Sequence, residues 1–237
     1  MTASLPALLL PIAATIAVYL AAEQLYRRTR IALLNPVLVS IAVIAAALLA
    51  LRIPYARYDA GARYLGWLLA PSVVALGVPL FRQLAALRRH VRAIATALVC
   101  GSAAGVLAAT LVAALLGAPA SVVRSLAPRS VTTPIAIQVS ERAGGIPALS
   151  AIVVILSGVV GAAIGIPLLR ALGVRGRTAT GLALGAAAHG VGTARAAEEG
   201  IPEAAAAGLA IGSMGVLTAL WVPAILALLQ AAGVVSP

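Results

Sequence analysis

The chain is predicted to be an all-α, polytopic membrane protein with about six spanning helices and two broken or re-entrant half-helix hairpins. Three observations carry that expectation. Of its 237 residues 62% are apolar and only 10% are charged, against roughly 25% charged in an ordinary soluble domain. The mean hydropathy is +1.09. Apolar runs follow one another along the chain, and three of them are interrupted near their centres by proline, glycine, hydroxyl or histidine residues. At about 20 apolar residues per crossing the sequence allows at most about eight segments. Residues 1–237 are therefore expected to form a single transmembrane domain, with the lipid bilayer as solvent.

The residue inventory excludes several kinds of chemistry. All 17 basic residues are arginine, so a phosphate-binding P-loop lysine or a Schiff-base lysine is impossible. One cysteine (Cys100) and two histidines (His90, His189) do not supply the nitrogen and sulfur ligands of a zinc site. No metal and no cofactor are expected. A net charge of +11 would suggest nucleic acid in a soluble chain, but here the arginines cluster between apolar runs, as the positive-inside bias places them. Nucleic acid is not an expected partner. Met1 to Leu10 lacks a basic region ahead of its apolar stretch, so no cleaved leader is expected.

The apolar runs fall at about 5–22, 36–51, 64–81, 91–117, 120–143, 147–171, 178–199 and 204–231. The third is interrupted by Pro71-Ser72, the fifth by Pro128-Arg129-Ser130-Val131-Thr132-Thr133-Pro134 and the seventh by His189-Gly190-Val191-Gly192-Thr193. Non-helical backbone at membrane depth survives only where protein or water satisfies it, which marks such breaks as candidate sites. Treating the fifth and seventh runs as re-entrant hairpins puts the arginines of 27–30, 82–92 and 170–177 on the cytoplasmic side, with the N-terminus outside. The hairpins then enter from opposite faces and their tips can meet near the midplane, as an inverted repeat would give. Leu69-Ala70-Pro71-Ser72 against Leu126-Ala127-Pro128-Arg129-Ser130 is a short match of that kind. Tyr55, Tyr58, Tyr64 and Trp67 read as an interfacial aromatic belt.

Within the fifth run, Thr133 before Pro134 reads as an N-cap with proline at the first helical position, and Gly144-Gly145 as the end of that helix. Ten residues rise roughly 15 Å, half a bilayer, so the helix is expected to start near the membrane centre. Its free amides and positive dipole end would lie there with the hydroxyls of Ser130, Thr132 and Thr133 and with Arg129 behind them, an arrangement suited to a small anion. An ordinary capped interfacial loop is the alternative.

In the seventh run Gly181, Gly185, Gly190 and Gly192 read as a helix-packing face. Thr193 is expected to cap a second half-helix over 194–199. His189 would sit at the break, and an ionisable group at depth is a functional candidate, although a lone histidine can also serve only to bond a backbone carbonyl. Arg195 is close by and can equally pair with Glu198 or Glu199 on its own helix. Asn35-Pro36 repeats the cap-and-proline pattern at the second run. All six acids lie at or near segment ends, and no G-x-S-G turn for an intramembrane hydrolase is present, so enzyme activity is not expected.

The combination of Ser130-Val131-Thr132-Thr133-Pro134-Ile135-Ala136, Gly144-Gly145-Ile146-Pro147, Gly181-Leu182-Ala183-Leu184-Gly185 and His189-Gly190-Val191-Gly192-Thr193-Ala194-Arg195-Ala196 resembles the LrgB/CidB family. Pro71-Ser72-Val73-Val74 and Asn35-Pro36-Val37-Leu38 are similar to it as well, and the resemblance covers about residues 30–230. Arginine stands at 129 where the family often has lysine, and Ala188 precedes His189 where serine is frequent. The resemblance implies two functions. One is antiholin-like regulation of murein hydrolase export and cell lysis. The other is carriage of small monocarboxylates, of the glycolate, glycerate, pyruvate or lactate class, as in plastid glycolate/glycerate translocators. It also implies a small LrgA/CidA-type membrane partner and a multi-pass position in the bacterial cytoplasmic (inner) membrane. Breaks aimed at the midplane are carrier anatomy, whereas a simple pore needs none. The expectation is therefore a carrier, working alone or with that partner and as a homo-oligomer. Its substrate site is expected to draw on Ser130, Thr132, Thr133, His189, Thr193, Arg195, Asn35 and Ser72.

Overall fold

The structure, a computed structural model, describes residues 5–29, 34, 36–68, 71, 74–75 and 77–236. It is 85% helical and holds no strand among those residues. The chain divides into two compact units, 1–75 and 76–237.

The first unit contains α1 (Leu5–Thr29), α2 (Pro36–Ala50) and α3 (Tyr55–Gly66). Helix α1 packs on both others. Gly61 of α3 lies directly against the Leu8 carbonyl and Pro11, where no side chain fits. Thr15 and Tyr58 share a hydrogen bond of 2.7 Å. Tyr64 and Trp67 stack edge to face with centroids 4.9 Å apart.

The second unit contains α4 (Gly77–Arg89), α5 (Val91–Leu115), α6 (Ala120–Leu126), α7 (Thr133–Arg142), α8 (Pro147–Ala171), α9 (Arg177–Glu199) and α10 (Ile201–Ala231). Helices α5, α8, α10 and residues Leu8–Thr29 of α1 are long and apolar enough to cross a bilayer. The chain is a membrane protein. Two expected crossings differ from this pattern. Helix α2 is apolar but only 15 residues long. The third run, expected over 64–81, does not form one helix: its start closes α3, a turn follows at 67–68, and α4 begins at Gly77. Both flanking helices are amphipathic and charged, with Arg57, Asp59 and Arg63 on one and Arg82, Arg88 and Arg89 on the other, a pattern that suits an interface rather than hydrocarbon.

Helix α8 is the post against which both fold-back elements of the second unit pack. Its residues Ser150, Val154, Gly158, Ala162 and Ile166, spaced by four, are buried. Ile152, Leu156, Val160, Ile164 and Leu168, spaced the same way on the opposite face, are each about half exposed. One stripe faces protein and the other lipid.

Two elements fold back beside α8 instead of crossing. Helices α6 and α7 are seven and ten residues long, about 10 and 15 Å at 1.5 Å per residue, and are joined by the segment 127–132, buried except for the half-buried Arg129 and Thr132. Helix α9 has 23 residues, and drawn straight it would separate its ends by about 33 Å. Its ends instead meet. A methyl group on Gly200, just past the end, would stand 2.5 Å from the Arg177 guanidinium at the start. Glycines allow the fold-back: Gly192 lies against the Leu184 carbonyl of the other limb, while Gly181 and Gly185 lie against the α10 backbone at Glu203 and Ala207. Gly161 and Gly165 of α8 receive Ala188 and Leu184. Close backbone approach of this kind is the ordinary use of small residues in membranes.

Gly185→Leu should therefore leave the protein unable to run as a single species in detergent, because its first side-chain atom would overlap Ala207. Gly101→Leu, on a face of α5 with open space around it, should keep the wild-type elution profile and melting temperature.

Candidate functional site

The α6–α7 hairpin rises beside α8 from that helix's N-terminal end. At its base Ser125 Oγ accepts the Ile146 amide at 2.7 Å, and Ser150 Oγ donates to the Ser125 carbonyl at 2.9 Å. At its tip Ser157 Oγ donates to the Arg129 carbonyl at 3.0 Å. From Pro147 to Ser157 helix α8 rises about 15 Å, which matches the length of α7. The tip thus reaches the middle of a helix long enough to span.

Helix α7 begins one residue earlier than the sequence implies. Thr132 is extended (φ −67°, ψ 148°) and is the cap; Thr133 is the first helical residue and Pro134 the second. The first helical bond runs from the Ala136 amide to the Thr132 carbonyl, 2.9 Å. Thr132 makes no side-chain cap bond, and the amides of Thr133 and Ile135 have no partner inside the helix. Thr132 and Thr133 are half-buried, and neither hydroxyl has a protein partner among the described residues. Ser130 is buried and its Oγ lies beside Gly105 of α5.

The second hairpin comes from the other end of α8. At its base Arg170 of α8 binds Glu199 (3.1 Å) and Arg177 binds Glu203 (2.8 Å) around a cavity of about 360 Å³ also lined by Arg175 and Thr180. Its apex is at Ala188 (φ −125°, ψ 15°) and His189 (φ 40°, ψ −126°). A positive φ on a non-glycine residue is rare and persists where the surroundings impose it. Here the constraints are visible. His189 is 6% exposed, its Nε2 lies 2.8 Å from the Val154 carbonyl, and its own carbonyl accepts a 2.7 Å bond from Thr193 Oγ1. Gly158 makes room for the ring, since a methyl group there would stand 2.6 Å from Cε1 and Nε2. A carbonyl only accepts, so Nε2 carries a proton and Nδ1 is the nitrogen left for another partner.

The break expected over 189–193 is thus confined to 188–189. Thr193 does not cap a second half-helix, because helical backbone resumes at Gly190 and the Thr193 hydroxyl bonds back four residues in the ordinary mid-helix manner. Arg195 lies beyond the apex, committed to Glu198 (3.0 Å) and Glu199 (2.8 Å). Asn35 and Ser72 lie outside the described residues. The structure thus brings Thr132, Thr133, His189 and Thr193 toward the centre of α8 and leaves Arg195 at the hairpin base. The residues that join the two breaks, Val154, Ser157 and Gly158, are spaced as one turn of α8 and had no polar signature beyond a single serine.

A family model described as LrgB-like matches residues 15–228. The chain belongs to the LrgB-like family. The Bacillus subtilis (strain 168) protein YwbG, described as uncharacterized, is 38% identical over 184 residues, 78% of this chain and 82% of that protein. An uncharacterized Haemophilus influenzae protein is 33% identical over 202 residues, 85% and 87% of the two chains. The antiholin-like protein LrgB of Bacillus cereus (strain B4264) is 36% identical over 169 residues, 71% and 74%. No solved structure matches.

The two tethers to α8 should be separable. Ser157→Ala should speed backbone hydrogen exchange over 129–132 by about fivefold, the value of one bond near 1 kcal/mol, without changing 186–192. His189→Ala should do the reverse.

Proposed function

We propose that this LrgB-like protein is a carrier of small monocarboxylates, and that the substrate is held where the two hairpins approach each other beside Val154, Ser157 and Gly158. The observation that carries this reading is the pair of re-entrant breaks entering from opposite ends of one spanning helix. A carboxylate leaving water loses several kcal/mol of hydration unless polar groups replace it. The start of α7 offers two free amides, the positive end of the helix dipole and the hydroxyls of Thr132 and Thr133. Arg129, half-buried and without an ion-pair partner among the described residues, adds a charge behind them. The free Nδ1 of His189 faces the substrate from the other hairpin. Thr193 supports the backbone of the α9 apex, Ser130 adds a hydroxyl at the other tip, and Arg195 takes a structural part in the hairpin base.

The protein does no chemistry on its substrate. It acts in the cytoplasmic membrane of a bacterium, as a homo-oligomer or beside a small LrgA/CidA-type partner. The arginine-rich end formed by 82–92 and 170–177 faces the cytoplasm under the positive-inside bias; Leu87 and Ile94 cluster there with Leu182 and Ala206. The name of the Bacillus cereus relative favours a second reading, antiholin-like control of murein hydrolase export and lysis.

Proteoliposomes should take up a panel of short carboxylates, with or without the small partner. Thr132→Val and Thr133→Val should each raise the half-saturation concentration about fivefold, at about 1 kcal/mol per lost hydrogen bond, while neutral amide analogues compete poorly. No uptake of any acid in either preparation overturns the carrier reading in favour of the regulator.

A further inference from the structure

Helix α7 carries a side chain whose place at depth is costly. Gln138 is exposed and has no hydrogen-bond partner among the described residues. It lies one turn from Pro134 and one turn from Arg142, so the three share a face. Because α7 climbs from the base of the hairpin toward the middle of α8, Gln138 stands about 6 Å inward of Arg142. An amide turned to lipid tails without a partner is strongly disfavoured. Water against that face removes the cost.

Space for it is present. A cavity of about 210 Å³ runs along Pro134, Ile135, Gln138, Val139 and Arg142, with Ala219 of α10 as its far wall. At about 30 Å³ per water it holds several. A second cavity, about 380 Å³, shares Val139, Arg142 and Ala219 with it and widens toward Arg124 and Gln230. The α10 wall is not purely apolar. Pro223 lies inside that helix, and proline lacks the amide that would bond the carbonyl four residues earlier, which is that of Ala219. The groove thus holds at its mouth a guanidinium without an ion-pair partner among the described residues (Arg142), an amide halfway along (Gln138) and a freed carbonyl opposite. Its inner end is Pro134, one residue from Thr133.

We propose that the groove between α7 and α10 is a water-filled path for small carboxylate anions, with Arg142 as the docking cation at its mouth and Gln138 as the hydrogen-bonding residue inside it. The identity of the ion rests on the carrier reading, but water and anion selectivity in the groove can be read without any transport.

In a full-length Cys100→Ala background, single Gln138→Cys, Ala219→Cys and Leu156→Cys variants are reacted in membranes with an anionic sulfonate and a cationic ammonium methanethiosulfonate of similar size. Leu156, half exposed on the lipid face of α8, is the control. The expected result is that the cysteines at 138 and 219 react at least tenfold faster than that at 156. The anionic reagent should also be favoured, with the preference falling severalfold when Arg142→Gln is added. Millimolar pyruvate should slow the reaction at 138. Rates at both groove positions as slow as at 156 overturn the path, and an anion preference unchanged by Arg142→Gln overturns the arginine's role. Fast, anion-selective labelling together with absent uptake keeps the path and removes the carrier reading. Slow labelling with normal uptake does the opposite.

Discussion

The second unit depends on one constraint: backbone freed from helical bonding inside a membrane must find its partners within the protein. Helix α8 supplies them at a single level. Ser157 donates to the carbonyl of Arg129 and the carbonyl of Val154 receives the ring of His189, so both interruptions are fastened within one turn of the same helix. That turn also has to be thin. Gly158 leaves room for the imidazole where a side chain would collide with it, and Gly161 and Gly165 do the same for Ala188 and Leu184. Thinness and polarity at the centre of α8 fix where two re-entrant elements can end, and so fix the depth of everything on their tips.

The breaks themselves were legible in the sequence because proline, glycine and histidine are conspicuous in apolar runs, and arginine distribution indicated that the two hairpins enter from opposite faces. The exact turn geometry was less so. Thr132 and Thr133 are both good caps, and only the extended backbone of Thr132 decides between them. For Thr193 the misreading has a clear cause: a cap and a back-bonding mid-helix threonine have the same sequence neighbours, and of the two glycines beside it Gly192 packs against the other limb while Gly190 has open space around it. The receiving residues on α8 were not legible as a site at all. Val154, Ser157 and Gly158 occur in an uninterrupted apolar helix, and their significance lies in what is packed against them.

Acidic residues show the same limit. All six sit near segment ends in the sequence, which reads as an unremarkable interfacial pattern. In the fold Glu203 is buried at 6% exposure and bound to Arg177, and Glu199 is shared between Arg170 and Arg195. These pairs close the base of the α9 hairpin, joining α8, both ends of α9 and the start of α10. Gly200, with φ of 155°, makes the one-residue link between α9 and α10 that allows the closure, and any side chain there would meet both Arg177 and Glu203. A local pairing within α9, readable from the i, i+3 and i, i+4 spacing, is thus one part of a longer-range network that spacing does not reveal.

The two hairpins are electrostatically unequal. In α9 a helical limb over 177–187 arrives at the apex and another over 190–199 leaves it. The negative end of one dipole therefore lies beside the positive end of the other, and the two largely cancel. In the other hairpin six residues separate the end of α6 at Leu126 from the start of α7 at Thr133, and that intervening chain is not helical. The positive end of α7 is left without such a neighbour. The field at the centre of the second unit is thus set by the start of α7 together with the half-buried Arg129 behind it, while the α9 apex contributes an imidazole held by Val154 and little net dipole. A negatively charged group brought to this level meets attraction from one side and a neutral, shape-determining surface from the other. This division of labour follows from the non-helical segment 127–132, which separates the α6 and α7 ends and carries Arg129.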